Sequence, residues 1–515
     1  IRQNLSFEPE SKFWLLKNQS IDFGYGIFGF KGSGSFIANY SNYDFKAEIS
    51  SNKKKNQILT FDKNASNKEN KFWENERPIP LTEDELKDYI KKDSIETKRS
   101  SKVYLDSVDL KNNKFKLVDL ILGYNYNNSY KKNNLSITGP LMGLSFNTVQ
   151  GYNFSIKSNY TKLYNDYKKF ISINGLLNYS DESERVRGSL FGKYKFNAVN
   201  NTEVNIDLGT KTEQFNSKQP ITRFQNLITS LLFERNYMKI YDKTYFNLGF
   251  SRDLFNGIFL KSNLTYEDRK VLFNNTDFVI LPRENINYTS NNPLNPNATN
   301  SAPFINHDII KFNIGVGISF GEKFMSYPDF KVNIENSKYP KLFLEYTKGF
   351  NSSISNYNFD HLNIRINQRL NLKSIGVLNY NSVVGTFFKN KTVSFIDYKH
   401  FNGNQTNINS RGNYISNFKN LEYYDYSTSN DYFEYHLEQN FKGYVLGKIP
   451  FVNKFNFNLV LGAHGISISK NKNYFEFNSG ISNLGWGKYR FLRIDYVRSY
   501  SDGKSESRFM FGINL

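Results

Sequence analysis

The sequence predicts an all-β fold, a transmembrane antiparallel β-barrel of 14 to 16 strands preceded by a periplasmic β-domain segment and a short helix. Two observations carry this prediction. The composition includes 36 Tyr and 47 Phe among 515 residues, which suits a lipid-facing band with aromatic girdles. Apolar residues also alternate strictly with polar or small ones along many segments. In KSESRFMFGINL at the end of the chain, the apolar side holds Phe509, Phe511, Ile513 and Leu515, and the other side holds Arg508, Gly512 and Asn514.

The hydropathy of the chain excludes transmembrane helices but agrees with a barrel. Only 39% of the residues are hydrophobic, the mean hydropathy is −0.59, and there is no uncharged apolar run long enough to span a bilayer as a helix. In a barrel only every second residue of a strand faces hydrocarbon, because the lumen and the loops are polar. A hydrophilic average is therefore expected for a barrel.

The net charge and the absence of cysteine restrict partners and chemistry. The formal net charge is +19, but Lys and Arg are spread along the chain and form no compact basic stripe. We therefore expect no nucleic-acid partner, and we expect some Lys side chains to contact anionic lipid head groups. The chain has no cysteine, which excludes disulfides and thiolate chemistry and suits an oxidising compartment.

Three regions follow from the patterns along the chain. Residues 1–50, with the Gly-rich alternation IDFGYGIFGFKGSGSFIANY, are predicted to end a periplasmic β-domain that begins before Ile1. Residues 51–138 are predicted to be a periplasmic linker with a short helix near 83–92, and residues 139–515 the barrel. The chain opens without Met or a signal peptide, so we expect a processed or truncated product.

The linker contains the strongest helix signal. Thr82 and Glu85 have the spacing of a capping box, which predicts a helix from Glu83. The apolar residues of this helix share one stripe, so we expect it to lie against another surface. The predicted docking helix and its approach comprise Trp73, Arg77, Leu86, Tyr89 and Ile90.

Alternation identifies the individual barrel strands and their orientation. An even strand number is expected, with the doubtful places at 139–148 and 221–232. Running the last strand towards the periplasm puts the two longest connections, 269–309 and 389–431, outside, and 446–453 becomes a tight inner turn. Fifteen strands are predicted to start near 152, 169, 186, 202, 241, 257, 310, 340, 359, 376, 432, 454, 473, 487 and 504.

Several blocks carry a resemblance to a known family of proteins. They are FWENERPIPLTEDE at 72–85, SFNTVQG at 145–151, YPKLFLEYTKGF at 339–350, the stretch 421–450 from LEYYDYSTSN to LGKIP, FEFNSGISNL at 475–484 and RFLRIDYVRS at 490–499. With them the chain resembles bacterial outer-membrane barrels in which a carboxypeptidase-regulatory-like module precedes a periplasmic β-domain. The resemblance implies location and topology, and no biochemical role. The chain departs from the family by lacking that module, by Gln150 where Glu is usual, and by ending on Leu515.

One polar cluster is predicted in the lumen. Glu434, His436 and Glu438 share a strand face, and His464 projects to the same side from the next strand. Imidazoles and carboxylates together can bind a divalent metal or shuttle protons. Residues two apart on a strand are about 6 to 7 Å from each other, which favours a bracing network of hydrogen bonds and salt bridges. We expect no metal and no cofactor.

The remaining motifs favour a protein without catalytic activity. The chain contains no G-x-S-x-G elbow, and FKGSGSF at 30–36 lacks the features of a phosphate loop. The predicted function is a structural or accessory subunit of an envelope complex in the bacterial outer membrane, with assembly or export of outer-membrane proteins as its field. The expected partners are outer-membrane lipid and other envelope proteins, whether barrels, lipoproteins or periplasmic factors. The alternative is a passive channel or a ligand receptor or transporter, since a barrel of this size encloses room for water.

Overall fold

The computed structural model describes most of the chain as two compact units, Ile1–Lys98 and Arg99–Leu515. In the described part, no helix is both long enough and apolar enough to cross a membrane. Leu515, which the terminal alternation included, lies outside the described residues. Those are all residues except 10–11, 28–29, 42, 46–55, 65–67, 78–79, 165–167, 299, 335–337, 389–391, 410–411, 413, 470–471 and 514–515.

The first unit begins with an antiparallel sheet of β1 (Arg2–Glu8), β2 (Phe13–Ile27) and β3 (Phe30–Asn39). Two glycines of β3, Gly32 and Gly34, face the aromatic rings of Tyr25 and Phe23 on β2. Phe23 pairs with Gly34, and a Cβ atom at Gly34 would lie 2.7 Å from the Phe23 ring. The Gly-rich alternation of this region therefore makes room for aromatic side chains that lie flat on the neighbouring strand.

A short strand and helices follow. They are β4 (Gln57–Thr60), α1 (Asn70–Glu76) and α2 (Glu83–Ser100). The predicted capping box of α2 is confirmed: the Thr82 backbone amide donates to the Glu85 carboxylate at 2.8 Å, and the Glu85 amide donates to the Thr82 hydroxyl at 3.3 Å. The helix is longer than the predicted 83–92. It continues because 93–100 lacks Gly and Pro and consists mainly of residues that a helix tolerates well.

The second unit is a barrel that two helices, α3 (Lys102–Asn112) and α4 (Asp119–Leu122), precede. A third helix, α5 (Arg223–Phe233), lies in the connection between two barrel strands. The strands are β5 (Tyr124–Asn128), β6 (Asn133–Ile137), β7 (Leu144–Asn147), β8 (Gly151–Tyr164), β9 (Lys169–Ser180), β10 (Arg185–Asn197), β11 (Thr202–Gln214), β12 (Ile240–Phe255), β13 (Ile258–Lys270), β14 (His307–Ser319), β15 (Lys323–Ser326), β16 (Lys331–Ile334), β17 (Lys341–Phe350), β18 (Phe359–Asn371), β19 (Val377–Phe388), β20 (Ile408–Asn409), β21 (Tyr432–Asn440), β22 (Asn458–Ile468), β23 (Lys472–Trp486), β24 (Tyr489–Ser501) and β25 (Lys504–Ile513).

Each of the fifteen predicted strands has a counterpart in the structure, although the one predicted near 454 starts later, but the predicted total of 14 to 16 is wrong. Among the described residues the barrel sheet has eighteen antiparallel strands, and β20 adds a two-residue parallel pairing with β25. The missed strands β5, β6 and β7 are four or five residues long, too short for a period of two to stand out. The barrel strands therefore begin at Tyr124, before the predicted 139.

The structure resolves the two doubtful places, 139–148 and 221–232, and it changes the predicted turn at 446–453. Region 139–148 holds β7, whereas 221–232 holds α5, whose start is fixed by a capping box of Thr222 and Gln225. The connection between β21 and β22 is a series of short 3-10 turns, so that β22 starts at Asn458 instead of 454. Aromatic residues just before Asn458 mimicked the alternation of a strand.

The barrel wall has an apolar outside and a polar inside. On β25 the side chains of Phe509 and Phe511 are 59% and 52% exposed, whereas that of Met510 between them is 1% exposed. The same alternation recurs round the barrel. Its outer belt includes Phe154, Leu177, Leu190, Ile206, Leu248, Leu264, Phe312, Leu344, Ile364, Val384, Leu437, Leu461, Phe477, Ile494 and Phe511, all exposed.

The longest connections, 215–239, 271–306 and 389–431, leave the barrel at one end, and their buried residues pack in the lumen. We call the described residues of 392–431 the plug segment. Its Phe418 and Leu421 are almost fully buried and pack against Ile466 of β22 and Tyr474 of β23. The hydrophobic core of this barrel therefore lies inside the lumen, between the wall and the plug segment.

Candidate functional site

The four predicted lumen residues come together on the inner wall and are all buried. His436 of β21 and His464 of β22 are register partners, and their Nδ1 atoms are 2.9 Å apart. His436 Nε2 lies 3.1 Å from a carboxylate oxygen of Glu434. The strand register thus brings the two imidazoles together, as the sequence suggested, by direct contact across the hairpin.

The plug segment supplies a lysine at each end of this group. Lys399 Nζ lies 2.7 Å from the Glu434 carboxylate, and Lys419 Nζ lies 2.8 Å from His464 Nε2. Both lysines were missed from the sequence, because loop residues have no strand period to show which way they point. Lys419 is 2% exposed, which is exceptional for a lysine. This burial marks it as a residue of the site, but it is visible only in the structure.

Glu438 belongs to a neighbouring ion cluster instead of the histidine pair. Arg493 of β24 donates to both Glu438 oxygens at 3.0 and 2.7 Å and to both Asp495 oxygens at 2.7 and 2.8 Å. The guanidinium group also lies 3.8 Å from the ring centroid of Tyr414 in the plug segment. This cluster joins two strands of the wall and one residue of the plug segment.

A carboxylate on β23 caps the backbone of the plug segment. Glu476 accepts hydrogen bonds from the backbone amides of Lys419 at 2.7 Å and Asn420 at 2.9 Å. The Tyr474 hydroxyl donates to the same carboxylate at 2.8 Å. A buried carboxylate with three donors holds the segment at a fixed height in the lumen.

A second ion network fastens the plug segment to another part of the wall, at β13 and β14. Arg269 of β13 is fully buried and donates to Glu267 at 2.6 Å and to Asp397 of the plug segment at 2.9 Å. Lys311 of β14 lies 3.0 Å from Glu267 and 3.6 Å from Asp397. The plug segment is therefore tied by charges to two separate parts of the barrel wall.

Two cavities with many polar lining residues lie along the barrel wall, and no residue of the plug segment lines either of them. One cavity of about 670 Å³ lies between the inner faces of β10 to β13, and a second of about 530 Å³ extends towards β8 and β9. Lys193, Lys261 and Glu203 are among the charged residues of the larger cavity. Among the described residues, no group of three or more His, Asp or Glu side chains could hold a metal ion.

The predicted docking helix presents its apolar stripe to solvent. Leu86, Tyr89 and Ile90 of α2 are 51%, 49% and 62% exposed, and Trp73 of α1 is 39% exposed. Arg77 lies over the Tyr89 ring at 5.2 Å, so this part of the predicted set is in contact. The Thr82 backbone amide and hydroxyl, which donate to the Glu85 carboxylate, hold the pKa of Glu85 below its ordinary value.

Comparisons with known proteins assign a family and no function. A family model described as "Family of unknown function (DUF5686) C-terminal domain" matches residues 118–481, and "Family of unknown function (DUF5686)" matches residues 1–43. No curated protein sequence matches the chain. The carboxypeptidase-regulatory-like module of the resemblance stays a prediction.

Solved structures with a similar fold are outer-membrane barrels of low sequence identity. BamA from Haemophilus ducreyi lacking POTRA domains 1–3 is 10% identical over 74% of this chain and 69% of that chain, with a TM-score of 0.39. CdiB from Acinetobacter baumannii is 12% identical over 74% and 59%, with a TM-score of 0.34. Pseudomonas aeruginosa OpdK with vanillate is 8% identical over 74% and 94%, with a TM-score of 0.32.

Proposed function

The chain belongs to the DUF5686 family of unknown function, and from this premise we propose that it is a plugged barrel of the bacterial outer membrane. In this proposal it acts without catalysis, as a structural or accessory subunit of an envelope complex. We propose that this complex takes part in the assembly or export of outer-membrane proteins. The first unit then lies in the periplasm.

The observation that carries the membrane location is the outer belt. Side chains such as Phe477, Ile494 and Phe511 are exposed at a period of two, while the residues between them are buried and often charged. A soluble protein rarely leaves so extended an apolar surface in water. Hydrocarbon lipid is the solvent that this surface suits, because a closed barrel satisfies its backbone hydrogen bonds internally.

The plug segment favours an accessory role over a passive pore. It places bulky side chains in the lumen and is tied to the wall by Lys399, Asp397 and Lys419. An open channel gains nothing from buried ion pairs that hold a loop across its bore. The partner surface that we propose is the exposed stripe of α2, whose apolar residues remain available for another envelope protein.

The proposal is tested first at the stripe. A photo-reactive amino acid at Ile90 is expected to cross-link one discrete envelope protein in intact cells. In the proposal a partner covers the apolar stripe, so the partner lies within reach of a probe at this position. The matched control is the same probe at Lys91, a polar neighbour on α2. Equal products from both positions, or none from either, would contradict the accessory role.

The second candidate is a receptor or transporter, and the lumen cavities favour it. Together with a plug, a polar cavity of about 670 Å³ is what a gated substrate path requires. Uptake of a small polar solute by vesicles containing the protein would support this candidate. Changing Lys193 and Lys261 to Met would then reduce uptake, whereas the accessory role predicts no solute uptake at all.

A further inference from the structure

We propose that His436 and His464 form a proton-sensitive latch that holds the plug segment in the barrel and releases it when the pair gains one proton. We call these two residues the histidine latch. The inference rests on the proposed plugged barrel and adds a mechanism of control to it.

One end of the latch is fixed by Glu434. Its carboxylate is paired with the Lys399 ammonium group at 2.7 Å, so it is ionised and only accepts hydrogen bonds. His436 Nε2 lies 3.1 Å from this carboxylate and must therefore carry a proton. In neutral His436 the other nitrogen, Nδ1, is then bare.

The other end is fixed by Lys419. An ammonium group has donors and no lone pair, so His464 Nε2, at 2.8 Å from Lys419 Nζ, must be bare. Neutral His464 then carries its proton on Nδ1 and donates to His436 Nδ1 at 2.9 Å. The two independent assignments agree. Hydrogen bonds run in one direction from Lys419 through His464 and His436 to Glu434.

An added proton can bind His464 Nε2, where the side-chain oxygen of Asn478 can accept a new hydrogen bond. The Asn478 amide donates to Asp495 at 2.8 Å, which turns its carbonyl oxygen towards His464 Nε2 at 3.2 Å. When a proton from water binds Nε2, the imidazolium can donate to this oxygen. The Lys419 ammonium group then loses its acceptor and faces a positive charge at contact distance.

The carboxylates near Lys419 are already engaged by other donors. The charged groups around the latch are Lys399 and Lys419 from the plug segment, Glu434 and Glu438 on β21, Glu476 on β23, and Arg493 and Asp495 on β24. Each oxygen of the four carboxylates already accepts a hydrogen bond or ion pair from a protein donor. A positive charge on His464 repels the Lys419 ammonium group, which lies 2.8 Å from its Nε2 atom, and this repulsion is relieved when this part of the plug segment lifts from the wall and Lys419 reaches water.

Hydrogen exchange in the full-length protein in detergent micelles tests the latch. Protection of the backbone amides of 414–421, corrected for intrinsic exchange rates, is expected to fall about tenfold or more from pH 7.5 to pH 5.0, the equivalent of one pKa unit or more. In His436→Gln/His464→Gln it is expected to change less than about twofold. Glutamine keeps one donor and one acceptor at each position and takes up no proton in this range. If this double variant fails to fold, His464→Gln alone makes the same test.

The matched control is His400→Gln, which alters a buried histidine of the same segment outside the latch. His400 contacts the Ser427 hydroxyl at 2.7 Å and the Phe395 carbonyl at 3.0 Å, and burial lowers its pKa to about 3. Any effect of pH on His400 is expected to change exchange near Phe395 and not at 414–421. The variant is therefore expected to show the same loss of protection at 414–421 as the original protein. The latch is overturned if the double glutamine variant loses as much protection as the original, or if the original loses none.

The same experiment separates failure of the latch from failure of the proposed function. A plugged barrel requires 414–421 to be protected at pH 7.5 in every variant. Free exchange of these amides at pH 7.5 would contradict both the proposed plugged barrel and the histidine latch. Protection at pH 7.5 that persists unchanged at pH 5.0 would contradict only the histidine latch. Retention of the folded, heat-modifiable form on electrophoresis at pH 5.0 shows that the barrel itself has not unfolded.

Discussion

Individual residues show where this barrel differs from a water-filled cylinder. Buried arginines such as Arg269 and Arg493 each serve two carboxylates, one or both on the wall. Paired charges of this kind contribute little net stability when intact and cost much when one partner is removed. They fix the position of what they join, and here they join strands to one another and to the plug segment.

Arg493 gives the sharpest test at this scale. Arg493→Met is expected to lower the free energy of unfolding by about 3 to 5 kcal/mol, because it leaves Glu438 and Asp495 buried without a counter-charge. Urea titration in lipid vesicles, followed by heat-modifiable electrophoresis, measures the change. The triple variant Arg493→Met/Glu438→Gln/Asp495→Asn removes all the charges and is expected to recover most of the loss. A triple variant as unstable as the single one would argue against an ion cluster as the cause.

The site was predictable from the sequence only in part, for reasons visible at single residues. Glu434, His436, Glu438 and His464 were identified because a period of two fixes which way a strand side chain points. Lys399 and Lys419 were not, because a loop has no such period. The interpretation of Glu438 with the histidines was incomplete, since Arg493 lies fifty-five residues along the chain from its partner.

At the scale of elements, α2 shows how far local signals reach. Its first turn was predicted from two side chains that contact each other, and those contacts are present. Its end was placed too early because 93–100 has weaker apolar periodicity while keeping good helix formers. Local chemistry thus fixed the start of the helix, and the absence of a breaker decided its length.

The capping box makes the start of α2 sensitive to pH. The folded pKa of Glu85 is lowered, so its contribution to helix stability is complete above the ordinary value of 4.5 and is lost as pH falls through the lowered value. Exchange protection of 84–88 is therefore expected to fall on acidification below pH 4.5. In Glu85→Gln this dependence is expected to disappear. Glu83→Gln is the matched control, and an equal effect there would assign the dependence to the charge of the first turn in general.

The outer belt is tested with one of its residues, Phe477. Phe477→Arg near the middle of β23 is expected to destabilise the barrel in lipid vesicles by about 2 to 4 kcal/mol, because arginine at the bilayer midplane must leave water. Asn247→Arg on the cavity side of β12 is the matched control, since its side chain enters polar space. Equal effects of the two changes on urea unfolding in vesicles would mean that the belt does not face lipid.

At the scale of the molecule, the sequence predicted the wall of the barrel better than its contents. Alternation along a strand is a repeated signal, and the fifteen long strands each carry it. The placement of the plug segment depends on contacts between residues far apart in sequence, such as Arg269 with Asp397. The two longest connections, 269–309 and 389–431, were predicted to lie on the extracellular side of the membrane, and that side stays a prediction. Their inward packing follows from buried residues that no local pattern reveals.

The contents of the barrel decide whether it conducts, and the plug segment can be removed cleanly. Lys399 and Thr428 are antiparallel partners whose backbones are bonded to each other at 2.8 and 3.0 Å. Replacing residues 400–427 with Asn-Gly therefore closes a two-residue hairpin without moving either side. The deletion removes Phe418, Lys419 and Leu421 from the lumen while Lys399 and Asp397 keep their partners on the wall.

Planar-bilayer recording of this deletion is expected to show steady conductance, because buried side chains such as Phe418, Lys419 and Leu421 leave the bore and water takes their place. The full chain at neutral pH is expected to be silent. Replacing the β15–β16 turn, Tyr327–Phe330, with Asn-Gly is the matched control, since it shortens a connection at the opposite end and leaves the plug segment untouched. Steady conductance of the full chain would favour the channel alternative. A silent but folded deletion variant would mean that the plug segment is not what closes the barrel.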